Sequence, residues 1–455
     1  MSTRGSKLTL ALLVCAVLLP PLLVYSILFR EALAIPILDD YHAVIGFSLH
    51  LTQLVSVHDK LLYVIAAQHD EYKLIFEHAV MAAQLALVHH ISFSFLVTLG
   101  NLMLLPIAYA CWKNYFADET DLRARLALLF PVSFLLFQLN YAETLDWSMG
   151  SLQNVAVIAF SLLCLHFLTR PTTACFAMAW ICSGLACASS ANGFLLAPVG
   201  LLILWQQRSE LQITVRSTVF QIAAWIALFP LMLGLYLYQY TRPAPMPHIA
   251  LLWKALFFFS FTGGAVENMH GRPIPHLGIL LGLAICAIFA DSVRTRYRIA
   301  NPFAFYSTVW IFLSAMLVAS VRIALGLQLS LSGRYKIYCD LLLIFCYAYL
   351  AMRVRAGSIS VPRRRAIYFG AASVIVLFSL ASDVVGYHLL TKRRQRVLDG
   401  IALYLANPTT TTPMINPNET LTPQMQQDQA EALTDLNQAR QSRLYALPGP
   451  PPLEK

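Results

Sequence analysis

The chain has 455 residues, 58% hydrophobic and only 12% charged, whereas an ordinary soluble domain carries roughly 25% charged residues. So few charges cannot cover a water-soluble body of this size, and with a mean hydropathy of +0.63 the composition excludes a soluble globular protein. The net charge of +9 does not point to nucleic acid, because the Lys and Arg residues sit mostly in short clusters between apolar runs, where they act as topology signals.

The first apolar run, Leu8 to Phe29, is longer than the core of a signal peptide, contains Pro20-Pro21 and lacks a small-residue cleavage site. It reads as an uncleaved first helix. Runs of or near spanning length follow at 91–112, 126–139, 151–168, 174–191, 193–205, 218–238, 277–290, 303–325, 337–352 and 366–387, eleven in all. The runs at 126–139, 193–205 and 277–290 are short for a full crossing. The expected fold is an all-α polytopic membrane protein. Residues 1–390 form its transmembrane part and 391–455 a linker and tail.

With the N-terminus in the cytoplasm, sixteen basic residues fall in cytoplasmic segments and nine on the other side, tail excluded, which favours that orientation. The cluster Lys392-Arg393-Arg394-Gln395-Arg396 runs against it. The first outer loop, 30–90, repeats apolar residues at helical spacing, as amphipathic interfacial helices do. The second, 239–276, passes Pro243, Pro245 and Pro247, then Trp253 and Phe257-Phe258-Phe259-Ser260-Phe261, and reaches Gly263-Gly264, which reads as an interfacial helix ended by glycines. The tail has a Thr/Pro-rich linker at 408–423 and a short helix from Gln424 to Tyr445. All nine cysteines lie in or at the ends of apolar runs and read as packing residues.

Acidic residues are scarce, so their positions are informative. Asp39-Asp40 directly follows the first span, where a carboxylate pair is costly unless it is paired, hydrated or used, and adjacent acids raise one another's pKa toward that of a working base. A solvated acidic turn is the plainer alternative. Seven of the twelve histidines share this loop without metal-ligand spacing, which favours interfacial polar contacts over a metal site. In Gln68-His69-Asp70-Glu71-Tyr72-Lys73 the spacings Asp70–Lys73 and Lys73–Glu77 suit ion pairs along a solvated helix, or the stretch forms a polar lid over Asp39-Asp40. Tyr141, Glu143, Asp146 and Trp147, followed by Gln153 and Asn154, combine aromatics with hydroxyl-binding groups as a sugar ring requires, and equally as an aromatic membrane belt provides. Arg334 and Lys336, flanking Tyr335, are outer cations suited to a phosphate or to snorkelling at a helix start. Motifs for cytosolic nucleotide chemistry are absent.

An acidic pair after the first helix, an amphipathic outer loop and later cations on the same side resemble the GT-C superfamily of lipid-linked-sugar glycosyltransferases. More narrowly, Asp39-Asp40, the 68–73 stretch, Tyr141 to Asn154, Ser189-Ser190-Ala191-Asn192-Gly193 and Gly333-Arg334-Tyr335 are similar to a bacterial branch that modifies surface polysaccharide and O-antigen. Where that branch tends to show His-Asn-Glu-His-Arg, this chain has His69-Asp70-Glu71-Tyr72-Lys73. The resemblance implies an inverting transferase of the bacterial inner membrane with a periplasmic site, using a polyprenyl-phosphate sugar donor and a glycan or lipid acceptor. Asp39 and Asp40 would be catalytic, Arg334 and Lys336 would hold the donor phosphate, and His69, Asp70, Glu71, Lys73, Tyr141, Glu143, Trp147, Asn154 and Tyr335 would contact substrate. No cofactor is implied, and a divalent metal stays open. The competing readings are a flippase or transporter of lipid-linked glycan, which predicts repeats not found here, and a polysaccharide polymerase.

Overall fold

The computed structural model describes residues 3–211, 215–242, 247, 249–267, 274–408 and 423–447. Among these, every regular element is helical. The protein is an all-α polytopic membrane protein. Among the described residues nine helices are long and apolar enough to cross a bilayer: Lys7–Glu31, Phe93–Asn114, Leu122–Leu145, Ser148–Leu168, Val219–Leu237, His276–Arg294, Pro302–Leu325, Gly333–Ala356 and Val361–Ala406. The short runs at 126–139 and 277–290 belong to longer helices, because the flanking residues continue the helix. The runs at 174–191 and 193–205 become the helices Thr173–Ser189 and Leu196–Leu211, of 17 and 16 residues, below the usual spanning length.

The outward sides of the first and last long helices are apolar and exposed, with Leu8, Leu12 and Leu22 on one and Phe369, Val374 and Leu377 on the other. Water would not tolerate such faces, whereas lipid does. Polar side chains lie inside instead: Ser161, Ser314, Asp340 and Ser379 are all buried.

Contacts between helix ends sort the bundle into two faces. On one face Glu119 pairs with Arg355 at 3.3 Å, Arg353 with Asp291 at 3.2 Å, and the Asn301 amide donates to the Asn114 carbonyl at 3.1 Å. On the other, Arg394 approaches Glu31 at 3.8 Å and Arg393 pairs with Asp146 at 2.5 Å. The segment between Glu31 and Phe93 joins this second face. It contains the helices Phe47–Gln53, Val57–Ala66 and Ile75–Val88, preceded by a widened turn at Tyr41–Gly46.

The aromatic helix of the second loop, Leu251–Thr262, packs its second half into the bundle, with Phe257 and Phe261 buried, while Leu251, Leu252 and Trp253 are exposed. Glycines permit this. A Cβ at Gly282 would overlap the Phe259 carbonyl oxygen, and one at Gly263 the Gly278 carbonyl oxygen, so two backbones touch through Gly278 and Gly282, four residues apart. Pro243 and Pro245 lie outside the described residues, as do 409–422 of the Thr/Pro-rich linker.

The last long helix, Val361–Ala406, has 46 residues and runs unbroken through position 391. At 1.5 Å per residue it is about 69 Å long, more than twice the roughly 30 Å of bilayer hydrocarbon, so much of it projects beyond the membrane. Its end and the helix Pro423–Gln441 form a second core with the first loop, in which Tyr41, Phe93, Tyr404, Leu436 and Tyr445 are buried together. The Tyr445 hydroxyl donates to the Ala34 carbonyl at 2.9 Å, and Ile91 N–H to the Leu444 carbonyl at 2.8 Å.

Candidate functional site

The two acids after the first span have opposite surroundings. Asp40 is buried and spends its carboxylate on structure. One oxygen accepts from the Ser148 hydroxyl at 2.6 Å and Met149 N–H at 3.1 Å, and the other from Ile37 N–H at 3.3 Å. These bonds tie the first loop to the start of the Ser148–Leu168 helix. Burial raises the Asp40 pKa to about 7 against the opposing pull of those donors, and the charge of Asp39 adds to the rise.

Asp39 stays accessible, its side chain 42% exposed, with Oδ2 lying 3.9 Å from His69 Nε2. Burial works to raise its pKa, but His69, then Arg334 and His42, prevail and hold it below the ordinary carboxylate value. His69 shows the reciprocal effect. Its partial burial disfavours the imidazolium, yet Asp39, Asp70 and Glu71 raise its pKa above the ordinary value. Behind the pair, Glu77 is buried, and burial pushes its carboxyl well above the ordinary value, with the charges of Asp40 and Asp39 adding to the rise.

The stretch 68–73 is not a solvated helix. His69 and Tyr72 exchange backbone hydrogen bonds at 3.0 and 2.8 Å, and Asp70 takes the left-handed conformation at φ 47°, which an Asp tolerates in a tight turn. The ion pairs expected along a helix therefore do not form. Lys73 is fully buried and donates to the Ala66 and Tyr238 carbonyls, while Gln68 exchanges bonds with the Thr241 backbone at 2.7 and 3.0 Å. The turn is thereby pinned to the end of the Val219–Leu237 helix, with His69 held beside Asp39.

Arg322, at the end of the Pro302–Arg322 helix, pairs with Glu71 and donates to the Tyr72 hydroxyl. In the sequence Arg322 is one of the nine outer basic residues, and an ionisable group at the end of an apolar span is a functional candidate in its own right. Arg334 lies over the Trp147 ring, 5.6 Å from its centroid, and Nε is 3.4 Å from the Ser332 hydroxyl. Lys336 diverges from it. Two residues along a helix turn side chains about 200° apart, and Lys336 lies inside the bundle, donating to Asn140 Oδ1 at 3.2 Å, while Asn140 donates to Asp340 at 3.2 Å. The two cations expected to share a phosphate are thus separated, and it is Arg322 whose charge is felt with that of Arg334.

Of the other expected contacts, Tyr141 is buried and donates to the Leu136 carbonyl, and the Asn154 amide donates within its own helix to the Gly150 carbonyl at 3.1 Å. Tyr335 is buried against Phe261 with ring centroids 5.0 Å apart, and Glu143 accepts from Gly333 N–H at 3.3 Å. Asn192 donates to the Tyr338 hydroxyl at 3.1 Å. Among the described residues no three His, Cys, Asp or Glu side chains converge as a metal site. What gathers around His69 is two accessible carboxylates, Asp39 at 3.9 Å and Asp70 at 3.8 Å, with Arg334, Arg322 and the Trp147 indole face nearby.

The chain matches no known protein-family profile and no curated protein sequence.

Because Asp40 has a higher pKa folded than its unfolded value of 3.8, its contribution to stability is fully present below that value and is lost as pH rises through about 7. Glu77 and other buried acids act in the same direction, so a comparison isolates Asp40. The melting temperature of the wild type should fall by about 2–5 °C more than that of Asp40→Asn between about pH 5 and pH 8. Parallel curves for the two proteins would show that Asp40 does not titrate in the fold.

Proposed function

We propose that the protein is a membrane glycosyltransferase that moves a sugar from a polyprenyl-phosphate carrier to a glycan or lipid acceptor, with inversion at the anomeric carbon. The supporting observation is the accessible Asp39 carboxylate, held ionised by His69, on the same face as Arg334 and Arg322. In this reading Asp39 accepts the proton of the acceptor hydroxyl while the oxygen forms a bond to the anomeric carbon and the bond to the carrier phosphate breaks. A carboxylate of low pKa is a weak base toward a free alcohol. It becomes adequate as bond formation acidifies the hydroxyl, so the proton moves late within the same displacement.

Arg334 and Arg322 face the negative charge that develops on the leaving phosphate. Arg334 is positioned by the Trp147 indole, and Arg322 by Glu71 and Tyr72. Asp40 is a positioning residue that fixes the loop carrying Asp39. The helix Leu251–Thr262 buries Phe257 and Phe261 but exposes Leu251, Leu252 and Trp253, an apolar surface suited to the carrier chain. The site face is taken as periplasmic, which also fits the bias of basic residues toward the other side.

Membranes containing the full chain, given labelled polyprenyl-phosphate sugar and a deletion-strain envelope extract as acceptor, should move label from the lipid to the acceptor fraction. Arg334→Ala should lower this rate by about 10²-fold or more. Full transfer by that variant would remove the phosphate role from Arg334, and label that never leaves the carrier would defeat the transferase reading.

A further inference from the structure

The basic run Lys392-Arg393-Arg394-Gln395-Arg396 has no part in the transfer reaction. It lies on the Val361–Ala406 helix beside the ends of the Lys7–Glu31 and Leu122–Leu145 helices, at the depth where the bundle meets its outer loop. Two of its cations are committed. Arg393 donates to Asp146 at 2.5 Å and to the Glu143 carbonyl at 2.9 Å, and Arg394 approaches Glu31 at 3.8 Å. Lys392 and Arg396 are exposed, sit one helical turn apart, and have no carboxylate at ion-pair distance among the described residues.

Between these cations and the Glu143–Asp146 segment is an open pocket of about 140 Å³, with Leu389 and Leu390 forming an apolar wall. Asp146 is paired with Arg393, and one oxygen of the exposed Glu143 accepts from Gly333 N–H at 3.3 Å. The two cations at the rim are left to meet an external anion. An apolar wall continuous with the lipid-facing helix and uncommitted cations above it suit an amphiphile whose chains stay in the bilayer. A soluble anion would leave the wall unused.

We infer that this pocket binds the phosphate of an anionic lipid headgroup through Lys392 and Arg396. The assignment is independent of the transfer reaction, and its test requires no activity. The detergent-purified full chain is titrated with labelled phosphatidylglycerol, labelled phosphatidylcholine and inorganic phosphate. The wild type should bind phosphatidylglycerol at least about 10-fold more tightly than phosphatidylcholine, and the Lys392→Gln/Arg396→Gln double variant should lose most of that preference.

The charge-preserving pair Lys392→Arg/Arg396→Lys should stay within about 3-fold of the wild type if the headgroup is read as charge. An unchanged elution profile for all variants keeps the comparison at the level of binding. Undiminished phosphatidylglycerol preference in the Gln variant would overturn the site. Inorganic phosphate binding as tightly as the lipid would overturn the headgroup as its occupant.

Discussion

Asp39→Asn should reduce sugar transfer by about 10²-fold or more while leaving the folded protein and its donor KM nearly unchanged. The amide keeps the size of the side chain but cannot take the acceptor proton. Asp40→Asn should differ in kind: its amide oxygen can still accept from Ser148 and Met149, so the loss should be smaller and accompanied by a change in stability. Equal activity of Asp39→Asn and the wild type would end the assignment of Asp39 as the base.

A pH profile separates positioning from general damage. Asp39 in the wild type is held below its ordinary value of 3.8, so its protonation does not limit activity near neutrality. In His69→Ala the burial of Asp39 remains while the largest opposing influence is gone. The acid limb of kcat/KM should therefore move to higher pH, a shift that a merely unfolded fraction would not produce. An unmoved limb would mean that His69 does not set the state of Asp39.

Gly282→Val should have the largest effect on the fold. Its side chain would meet the Phe259 carbonyl oxygen and the Thr262 hydroxyl, and backbone cannot rotate away as a side-chain tip can. Separating the Leu251–Thr262 and His276–Arg294 helices should cost about 3 kcal/mol or more, visible as lost monodisperse protein after extraction. Gly282→Ala should show the same sign at smaller size. Gly370→Ala, where a Cβ meets nothing within 4 Å, should leave stability equal or slightly higher. A Gly282→Val protein that melts with the wild type would show that these two helices are not in backbone contact.

The membrane class was readable because apolar runs of spanning length leave no other solvent for the chain. Helix extent was harder to read. The run at 366–387 stops where charges begin, yet the helix continues to Ala406, because Lys392 to Arg396 find water or partners outside the bilayer. At the candidate site, scarcity of charge puts Asp39, Asp40 and Arg334 at the head of the candidates, and the fold brings Asp39 and Arg334 together beside His69. It did not separate Asp39 from Asp40, since hydrogen bonds to Ser148 and Met149 come from residues more than a hundred positions away. Spacing also suggested a helix at 68–73, where a turn is fixed by the distant backbone of Tyr238 and Thr241. Arg334 and Lys336 looked equivalent because only the helix start decides which way each one turns.

The hydrogen bond between Tyr445 and Ala34 joins positions 411 residues apart. During synthesis the loop bearing Asp39 emerges first and must wait, with Tyr41 and Phe93 uncovered, until nearly the entire chain has been inserted. Completion of the site is then among the last events of assembly. Ribosomes stalled short of residue 423 should hold a bundle already threaded through the membrane but still inactive, which makes the late helix a checkpoint on when this chain begins to work.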